Sequence, residues 1–207
     1  MRHGQSTWNQ TGRWQGQADP PLSELGRRQA EAVAARLGRL GRLEGTVLHT
    51  SDLARCQQTA APLAAALGVP ARPRADLREI DIGAWSGLTT PAIKAGFPAQ
   101  WAGMLAGQDL ARGGGETFSQ LRARVVPAIQ EIVGGADGPA TDAVVVTHGG
   151  CIRAIVTAAL GLEFAFDLRL GGTANASISA LRPLPPPAVG FRLESYNDVG
   201  HLNGLGR

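Results

Sequence analysis

The chain has 207 residues, of which 43% are hydrophobic and 18% charged, with a formal net charge of +3. This length suits one sizeable core, and the composition is ordinary for a soluble globular domain. No apolar run approaches the roughly 20 residues of a membrane span. The arginines are scattered and aromatic residues make up only 5%, which argues against a nucleic-acid-binding surface. We therefore expect a single cytoplasmic domain over residues 1–207, with neither nucleic acid nor membrane as a partner.

Predicted strands and helices alternate along the chain. In order, they are a polar loop over 5–22, a helix over 24–40, a strand over 46–50, a helix over roughly 53–67, a strand around 71–74, short helices within 89–112, a long helix opened by Glu116-Thr117, a strand over 143–147, a helix over 151–160, and strands near 176–181 and 190–195. Ser23 and Ser51-Asp52 are candidate N-caps, and Gly113-Gly114-Gly115 is expected to be a flexible hinge. The alternation predicts an α/β fold, a three-layer α/β/α sandwich around a mostly parallel sheet.

Two histidines precede glycines where predicted strands end. His148-Gly149-Gly150 follows the apolar run at 143–147. His3-Gly4 would follow such a run if the chain began a few residues earlier. Ligands of α/β proteins bind at the carboxyl edge of the sheet, and Arg55, in the first turn after another strand, belongs to that same edge. We expect His3 and His148 to face one another across a phosphate.

The candidate catalytic groups all stand in loops or at helix starts: Arg2, His3, Arg55, Glu79 and His148. A neutral imidazole can attack phosphorus and hold the phosphoryl group covalently. Guanidinium groups bind phosphoryl oxygens bidentately, a second, cationic histidine can add to them, and a carboxylic acid can protonate the leaving alkoxide. These are the groups that phosphoryl transfer requires. His49, within a strand, and His201, near the tail, are expected to be structural or solvated.

The residues around these groups resemble a known family. Arg2-His3-Gly4-Gln5-Ser6-Thr7-Trp8-Asn9 is similar to the signature of the histidine phosphatase superfamily, which includes cofactor-dependent phosphoglycerate mutases and fructose-2,6-bisphosphatases. Further similar blocks follow in the family's order, at residues 15–26, 51–60, 77–79, 83–87, 114–117, 146–150 and 197–202. The resemblance spans nearly the whole chain and implies a phosphoglycerate mutase-like fold.

The same resemblance implies roles for individual residues. His3 would be the nucleophile that becomes phosphohistidine, and Glu79 would be the proton donor to the leaving group. The residues implied to bind the substrate are Arg2, Asn9, Gln15, Gly16, Arg55, His148 and Gly149. Neither a metal nor a cofactor is expected, because the few clustered carboxylates form no oxygen-ligand site and arginine supplies the positive charge. The expected partner is a small phosphate ester, and a homodimer is left open.

Within the family, hydrolysis and phosphoryl exchange are the two alternatives. The mutases carry an extra segment after the glutamate block, whereas about thirty residues separate Glu79 from Gly113, so water would reach the phosphohistidine and hydrolysis is favoured. Residues 171–177 and the Gln15-Gly16-Gln17 loop most resemble glucosyl-3-phosphoglycerate phosphatases, with broad-specificity and α-ribazole phosphatases as close rivals.

Mutase activity and a catalytically silent phospho-ligand binder remain alternatives. An unrelated nucleotide-binding protein is disfavoured, because no G-x-x-x-x-G-K motif and no G-x-G-x-x-G after the first strand occurs. Ser86 stands where many relatives have glutamate. Cys56 and Cys151 are expected to be small buried groups.

The start of the chain carries an expectation about stability. The resemblance implies several apolar residues before Arg2-His3, forming a central strand. We expect that a short apolar segment added before Met1 raises the free energy of unfolding, because it would add sheet hydrogen bonds and apolar burial. Urea unfolding of the two proteins measures the difference. An extended protein no more stable than the given chain would contradict this expectation.

Overall fold

Strands and helices alternate through the part of the chain that the computed structural model describes, which is residues 1–39, 45–135, 142–162, 170–184 and 190–205. The strands are β1 (Thr46–Ser51), β2 (Ala71–Arg74), β3 (Asp142–Val146), β4 (Ile178–Pro183) and β5 (Phe191–Asp198). The α-helices are α1 (Thr7–Gln10), α2 (Glu24–Gly38), α3 (Ala54–Leu67), α4 (Thr90–Gly96), α5 (Pro98–Leu105), α6 (Phe118–Gly134) and α7 (Gly149–Ala159). Among these residues, no helix combines the length and hydrophobicity needed to cross a membrane.

A parallel sheet in the order β2-β1-β3 lies at the centre. In its register, Leu48 of β1 pairs with Ala71 of β2 and with Val144 of β3. Successive side chains of a strand point to opposite faces, so Val47 packs against one hydrophobic cluster and Leu48 lies in the other. Helices α2 and α3 pack together on one face, and α6 and α7 on the other. The predicted α/β/α fold with a parallel central sheet is confirmed, and β4 and β5 add an antiparallel pair.

Residues 1–3 lie between β3 and the segment that leads into β4. On one side, the Thr147 amide donates to Met1 O (2.9 Å) and the His3 amide to Thr147 O (3.0 Å). On the other side, the Arg2 amide donates to Ser177 O (3.0 Å) and the Ala176 amide to His3 O (2.9 Å). The backbone of the Arg2-His3 pair is therefore held along both edges, as in a central strand. The effect of an added apolar segment stays a prediction.

Of the two predicted helix caps, one is observed and the other is not. The Ser23 hydroxyl accepts from the Gly26 amide and caps α2 as expected, and α2 ends at Gly38; residue 40 lies outside the described residues. The predicted cap of α3 by Ser51-Asp52 is wrong. Leu53 holds the N-cap position without a side-chain hydrogen bond, and the Ala54 amide donates to Asp19 Oδ1 from the distant polar loop (2.7 Å).

Two loop predictions also need correction. The polar loop over 5–22 contains the one-turn helix α1, closed by a reciprocal capping box between Ser6 and Asn9. Gly113-Gly114-Gly115 is not a hinge but a packing site: a Cβ on Gly113 would overlap the carbonyl oxygen of Ile82, and one on Gly115 that of Asp81. Glycine is favoured here because two backbone segments touch, and because Gly113 and Gly114 adopt the left-handed φ angles of 57° and 82°.

The beginning of α2 packs backbone to backbone on the residues that follow His3. A Cβ on Gly26 would overlap the carbonyl oxygen of Gln5, and a Cβ on Gly4 would lie 2.5 Å from Gly26 O. Hydrogen bonds reinforce the contact, because the Ser23 amide donates to Gln5 O (2.8 Å) and the Gln5 amide to Gln29 Oε1 (2.8 Å). Helix α2 thereby sets the path of the chain just after His3.

Gly26→Ala should therefore lower the free energy of unfolding by about 1–3 kcal/mol, because the added methyl group forces the two backbones apart. Gly38→Ala in the same helix is the matched control. Its Cβ would make an ordinary contact of 3.4 Å with Ala66, and replacing a helical glycine should gain up to about 1 kcal/mol. Urea unfolding of both variants measures the difference. Equal stabilities for the two would contradict the close backbone contact.

Candidate active site

A cleft of about 460 Å³ opens at the carboxyl edge of the sheet, beside residues 1–3 and the start of α7. Its volume lies in the range of pockets for small ligands. The residues that line the cleft include predicted site residues as well as residues that the sequence did not single out. They are Arg2, His3, Asn9, Gly12, Arg13, Trp14, Gln15, Gly16, Arg55, Glu79, Ile80, Ile82, Arg112, Phe118, Gly149, Gly150, Arg153, Gly172 and Thr173.

His3 is held in the form that a nucleophile requires. Only 2% of its surface is exposed. Its Nδ1 lies 2.7 Å from the carbonyl oxygen of Gly4; because that oxygen can only accept, Nδ1 carries the proton and Nε2 keeps its lone pair. Burial first, and then the charges of Arg2 and Arg55, hold the pKa of His3 well below its usual range. The ring is therefore neutral near pH 7.

His148 lies directly behind His3. The two ring centroids are 5.2 Å apart in an edge-to-face arrangement, so the predicted proximity of the two histidines is observed. His148 is fully buried, its Nε2 lies 2.9 Å from Ser51 Oγ, and it is not among the described residues that line the cleft. Burial and the neighbouring Arg55 hold its pKa well below the usual range. The cationic histidine expected from the sequence is thus neutral in this structure, and an anion beside it would favour protonation.

Arg2 and Arg55 each present one buried guanidinium N–H that has no partner. Arg55 donates through Nη1 to Ala18 O (2.6 Å) and through Nη2 to Gly16 O (2.8 Å), and Arg2 Nη1 donates to the carbonyl of Thr173. The Nε atoms of both arginines are buried without a hydrogen bond. Leaving a buried donor unsatisfied costs roughly 1–3 kcal/mol, more for a charged group. This pair of donors therefore indicates a binding position for an anion beside His3.

Glu79 reaches the cleft from the loop after β2. Its Oε2 accepts from the Gly150 amide in the first turn of α7 (3.0 Å), and its Oε1 accepts from the Ile80 amide (2.9 Å). Arg124 holds the backbone of this loop: it donates to Arg78 O (2.9 Å) and forms an ion pair with Glu116 (2.8 Å). Glu116, part of a block that resembles the family, thus serves to hold the Glu79 loop.

The remaining predicted substrate-binding residues lie on the wall of the cleft. Asn9 Oδ1 accepts from the Asn175 amide group (3.0 Å), and Gln15 Oε1 accepts from the Ser6 hydroxyl (2.7 Å). Gly149 begins α7, where amides lack an intrahelical acceptor. Gly16 also lines the cleft. The structure thus gathers every predicted site residue around one position, with His148 one layer behind.

Two polar residues before β4 were missed as site residues. Thr173 lines the cleft, and its Oγ1 is buried without a hydrogen-bond partner. Asn175 donates through Nδ2 to Asn9 Oδ1 and lies 3.3 Å from His3 O. The sequence marked residues 171–177 only by their resemblance to a subgroup, because nothing local indicates that this segment lies beside residues 1–3.

The two cysteines are buried, as expected. Burial raises the pKa of Cys56 to about 12 and that of Cys151 further, so both stay thiols. Cys56 Sγ lies 3.4 Å from His148 Nε2. Ser86 donates to Gln15 O (3.1 Å). Across the described ranges, no group of three or more His, Cys, Asp or Glu residues could hold a metal ion.

The chain is similar in sequence to proteins named as phosphatases and to one named as a probable phosphoglycerate mutase. The chain is 40% identical over 208 residues to a glucosyl-3-phosphoglycerate phosphatase of Mycobacterium tuberculosis, covering 95% of this chain and 92% of the relative. It is 33% identical to a metal-independent phosphoserine phosphatase of Arabidopsis thaliana (100% and 83% covered). It is 34% identical to a probable phosphoglycerate mutase of Yersinia pestis (98% and 93% covered).

A solved structure agrees with these sequence relatives. A mycobacterial glucosyl-3-phosphoglycerate phosphatase in complex with VO3 superposes with a TM-score of 0.84 at 38% identity, covering 96% of this chain and 97% of that one. The family model described as histidine phosphatase superfamily (branch 1) matches residues 1–198. With His3, Arg2 and Arg55 in the cleft and His148 directly behind His3, these matches show that the chain belongs to branch 1 of the histidine phosphatase superfamily.

Proposed function

We propose that this protein is a metal-independent phosphatase that hydrolyses small phosphate monoesters through a phosphohistidine at His3. The observation that carries the proposal is the pair of unpartnered, buried Nε–H groups of Arg2 and Arg55 beside a neutral imidazole. Fixed donors that can bind an anion, next to a nucleophile, are what phosphoryl transfer needs. The relatives named as phosphatases support the same activity.

In the first chemical step, the lone pair of His3 Nε2 attacks phosphorus and the bond from phosphorus to the alcohol oxygen breaks. Glu79, protonated at this stage, gives its proton to the departing oxygen. Arg2 and Arg55 bind the phosphoryl oxygens and balance their charge. His148, which faces His3, stabilises the same charge once it is protonated.

In the second step, water attacks the phosphohistidine. The Glu79 carboxylate accepts a proton from this water, the phosphorus–nitrogen bond breaks, and its electron pair returns to Nε2 as inorganic phosphate leaves. Asn9, Gln15, Gly16 and Gly149 are proposed to orient the ester from the cleft wall. The unpartnered Thr173 hydroxyl is positioned to join them.

Hydrolysis is favoured over phosphoryl exchange because the relatives at 40% and 33% identity are named phosphatases. The relative named as a probable phosphoglycerate mutase makes mutase activity the second candidate. The compounds in these three names share a feature: glucosyl-3-phosphoglycerate, phosphoserine and phosphoglycerate each combine a phosphate ester with a nearby carboxylate. For this chain, we propose a sugar-phosphoglycerate or a broader set of small phosphate esters. A cytoplasmic location and a homodimer stay predictions.

His3→Ala should abolish turnover and remove acid-labile labelling of the protein, because no other group can accept the phosphoryl group at this position. Phosphate release from a panel of sugar-phosphoglycerates, phosphoglycerate and nucleotides measures turnover. Rapid quenching with 32P-labelled substrate measures the covalent intermediate.

His201→Gln is the matched control for that experiment, since His201 bonds to Arg36 and Ala176 O away from the cleft. It should keep both turnover and label. Turnover retained by His3→Ala would refute the phosphohistidine mechanism. A wild-type protein that is inert across the whole panel would favour a silent phospho-ligand binder.

Glu79→Gln should slow different esters to different extents. Hydrolysis of an alkyl phosphate such as glycerol 3-phosphate should fall about 10²- to 10⁴-fold in kcat, because the alkoxide loses its proton donor. The label should then build up only slowly. For p-nitrophenyl phosphate, whose leaving group needs no proton, the loss in the labelling step should be below about tenfold. Equal losses of labelling rate for both esters would argue against Glu79 as the acid.

A further inference from the structure

The cleft holds more positive charge than a phosphate ester requires. Among its described lining residues, the charged groups are five arginines and one carboxylate: Arg2, Arg13, Arg55, Arg112, Arg153 and Glu79. Arg2 and Arg55 surround His3 and account for the phosphoryl oxygens. Arg13 is exposed and donates to Gly87 O (2.7 Å) at the rim. Arg112 and Arg153 are the two half-buried arginines that the proposed chemistry does not use.

Arg112 stands on a rigid support. It opens the turn Arg112–Gly114, which packs through its glycines on the backbone of residues 81–85. The Gly113 amide donates to Gln100 Oε1 (3.0 Å), which fixes the turn from a second side. Burial lowers the pKa of Arg112, the charge of Glu79 raises it, and the charge of Arg153 lowers it. Arg112, Glu79 and Arg153 all line the same cleft.

Arg153 approaches the same region from α7. It lies three residues, or nearly one helical turn, beyond Gly150, whose amide binds Glu79 Oε2. Its Nη2 donates to the carbonyls of Leu170 (2.9 Å) and Gly171 (3.3 Å). Tyr196 also donates to Gly171 O, so that the support of Arg153 is itself tied to β5. The guanidinium is thereby positioned before any ligand arrives.

Arg153 lies within one helical turn of Gly150, whose amide binds Glu79, and Arg112 lines the same cleft, so we place both arginines on the side of Glu79. In the proposed mechanism Glu79 protonates the leaving oxygen, so the leaving alcohol occupies this side. The carboxylates of Glu79 and Asp109 offset part of the charge of Arg112, and an anion bound between the two guanidinium groups would offset more of it. Guanidinium groups bind carboxylates through paired N–H donors.

We propose that Arg112 and Arg153 form a second anion subsite, which binds a carboxylate on the alcohol part of the substrate. The inference rests on the proposed function, because the phosphoryl position at His3 defines which end of the ester reaches the pair. It assigns the substrate to the class of phosphorylated hydroxy acids and amino acids. Neutral alcohol phosphates would bind through the phosphoryl group alone.

The test compares 3-phosphoglycerate with glycerol 3-phosphate, which replaces the carboxylate by a neutral CH₂OH group. Wild-type protein should show the higher kcat/KM for 3-phosphoglycerate. Arg112→Gln and Arg153→Gln should each lower that preference about 10- to 100-fold, as expected for losing a charged hydrogen bond, while kcat/KM for glycerol 3-phosphate changes less than about threefold. Arg153→Lys keeps the charge without the planar fork and should lose part of the preference.

Arg13→Gln is the matched control, because it removes the same charge from the rim of the same cleft. It should change the preference by less than about threefold, as exposed charges are screened by solvent. If Arg13→Gln lowered the preference for 3-phosphoglycerate as much as Arg112→Gln does, the subsite would be overturned in favour of general electrostatic attraction of the ester to the cleft. A wild-type protein without preference, or variants that lose both esters equally, would also overturn it.

Calorimetry separates this inference from the proposed function. Binding of the same two esters to His3→Ala protein requires no turnover. If the His3→Ala protein binds 3-phosphoglycerate more tightly than glycerol 3-phosphate, and Arg112→Gln removes this difference, the result supports the subsite. This conclusion holds even if the wild-type enzyme hydrolyses neither ester and the proposed function fails. Equal binding of the two esters overturns the subsite, even if both are hydrolysed.

Discussion

The buried Nε–H groups of Arg2 and Arg55, beside a neutral imidazole, are the constraint on which the site depends. Arg55 has no exposed surface, and the buried Nε–H of each arginine has no hydrogen-bond partner. A buried donor without an acceptor is unfavourable, and an anion that accepts from both Nε–H groups removes this cost. Burial, and after it the charges of the same two arginines, depress the pKa of His3 and so keep its lone pair available for attack. Arg2 and Arg55 therefore contribute both to anion binding and to the neutral state of the nucleophile.

The surrounding structure keeps these groups in place against their mutual repulsion. Arg55 is anchored on the carbonyls of Gly16 and Ala18, which belong to the polar loop over 5–22. That loop is in turn held by the Asp19 carboxylate at the start of α3. The backbone contact between Gln5 and Gly26 sets the direction of the chain after His3. These contacts fix the path of the loop at Gln5 and over residues 16–19.

Much of the fold and site follows from local sequence patterns. The strand of β1, the helix α3 with its terminal Gly68 in the left-handed region, and the Ser23 cap were predicted from periodicity and capping chemistry. Arg55 and His148 were found because they follow predicted strands, and His3 and Glu79 because family blocks surround them. The cap of α3 was mispredicted because its acceptor, Asp19, is 35 residues away. The glycine run at 113–115 was mispredicted because glycine serves close packing as well as bending.

The sequence by itself determined the α/β class, the order of the elements and the reactive groups, since periodicity, caps and motifs are properties of neighbouring residues. Only the tertiary structure decided which distant groups share the cleft. It places Thr173 and Asn175 beside residues 1–3, sets His148 behind His3 with a neutral ring, and brings Arg112 and Arg153 into the cleft that Glu79 lines. Burial, charge coupling and unsatisfied donors arise from packing between remote segments, and no local pattern of residues encodes them.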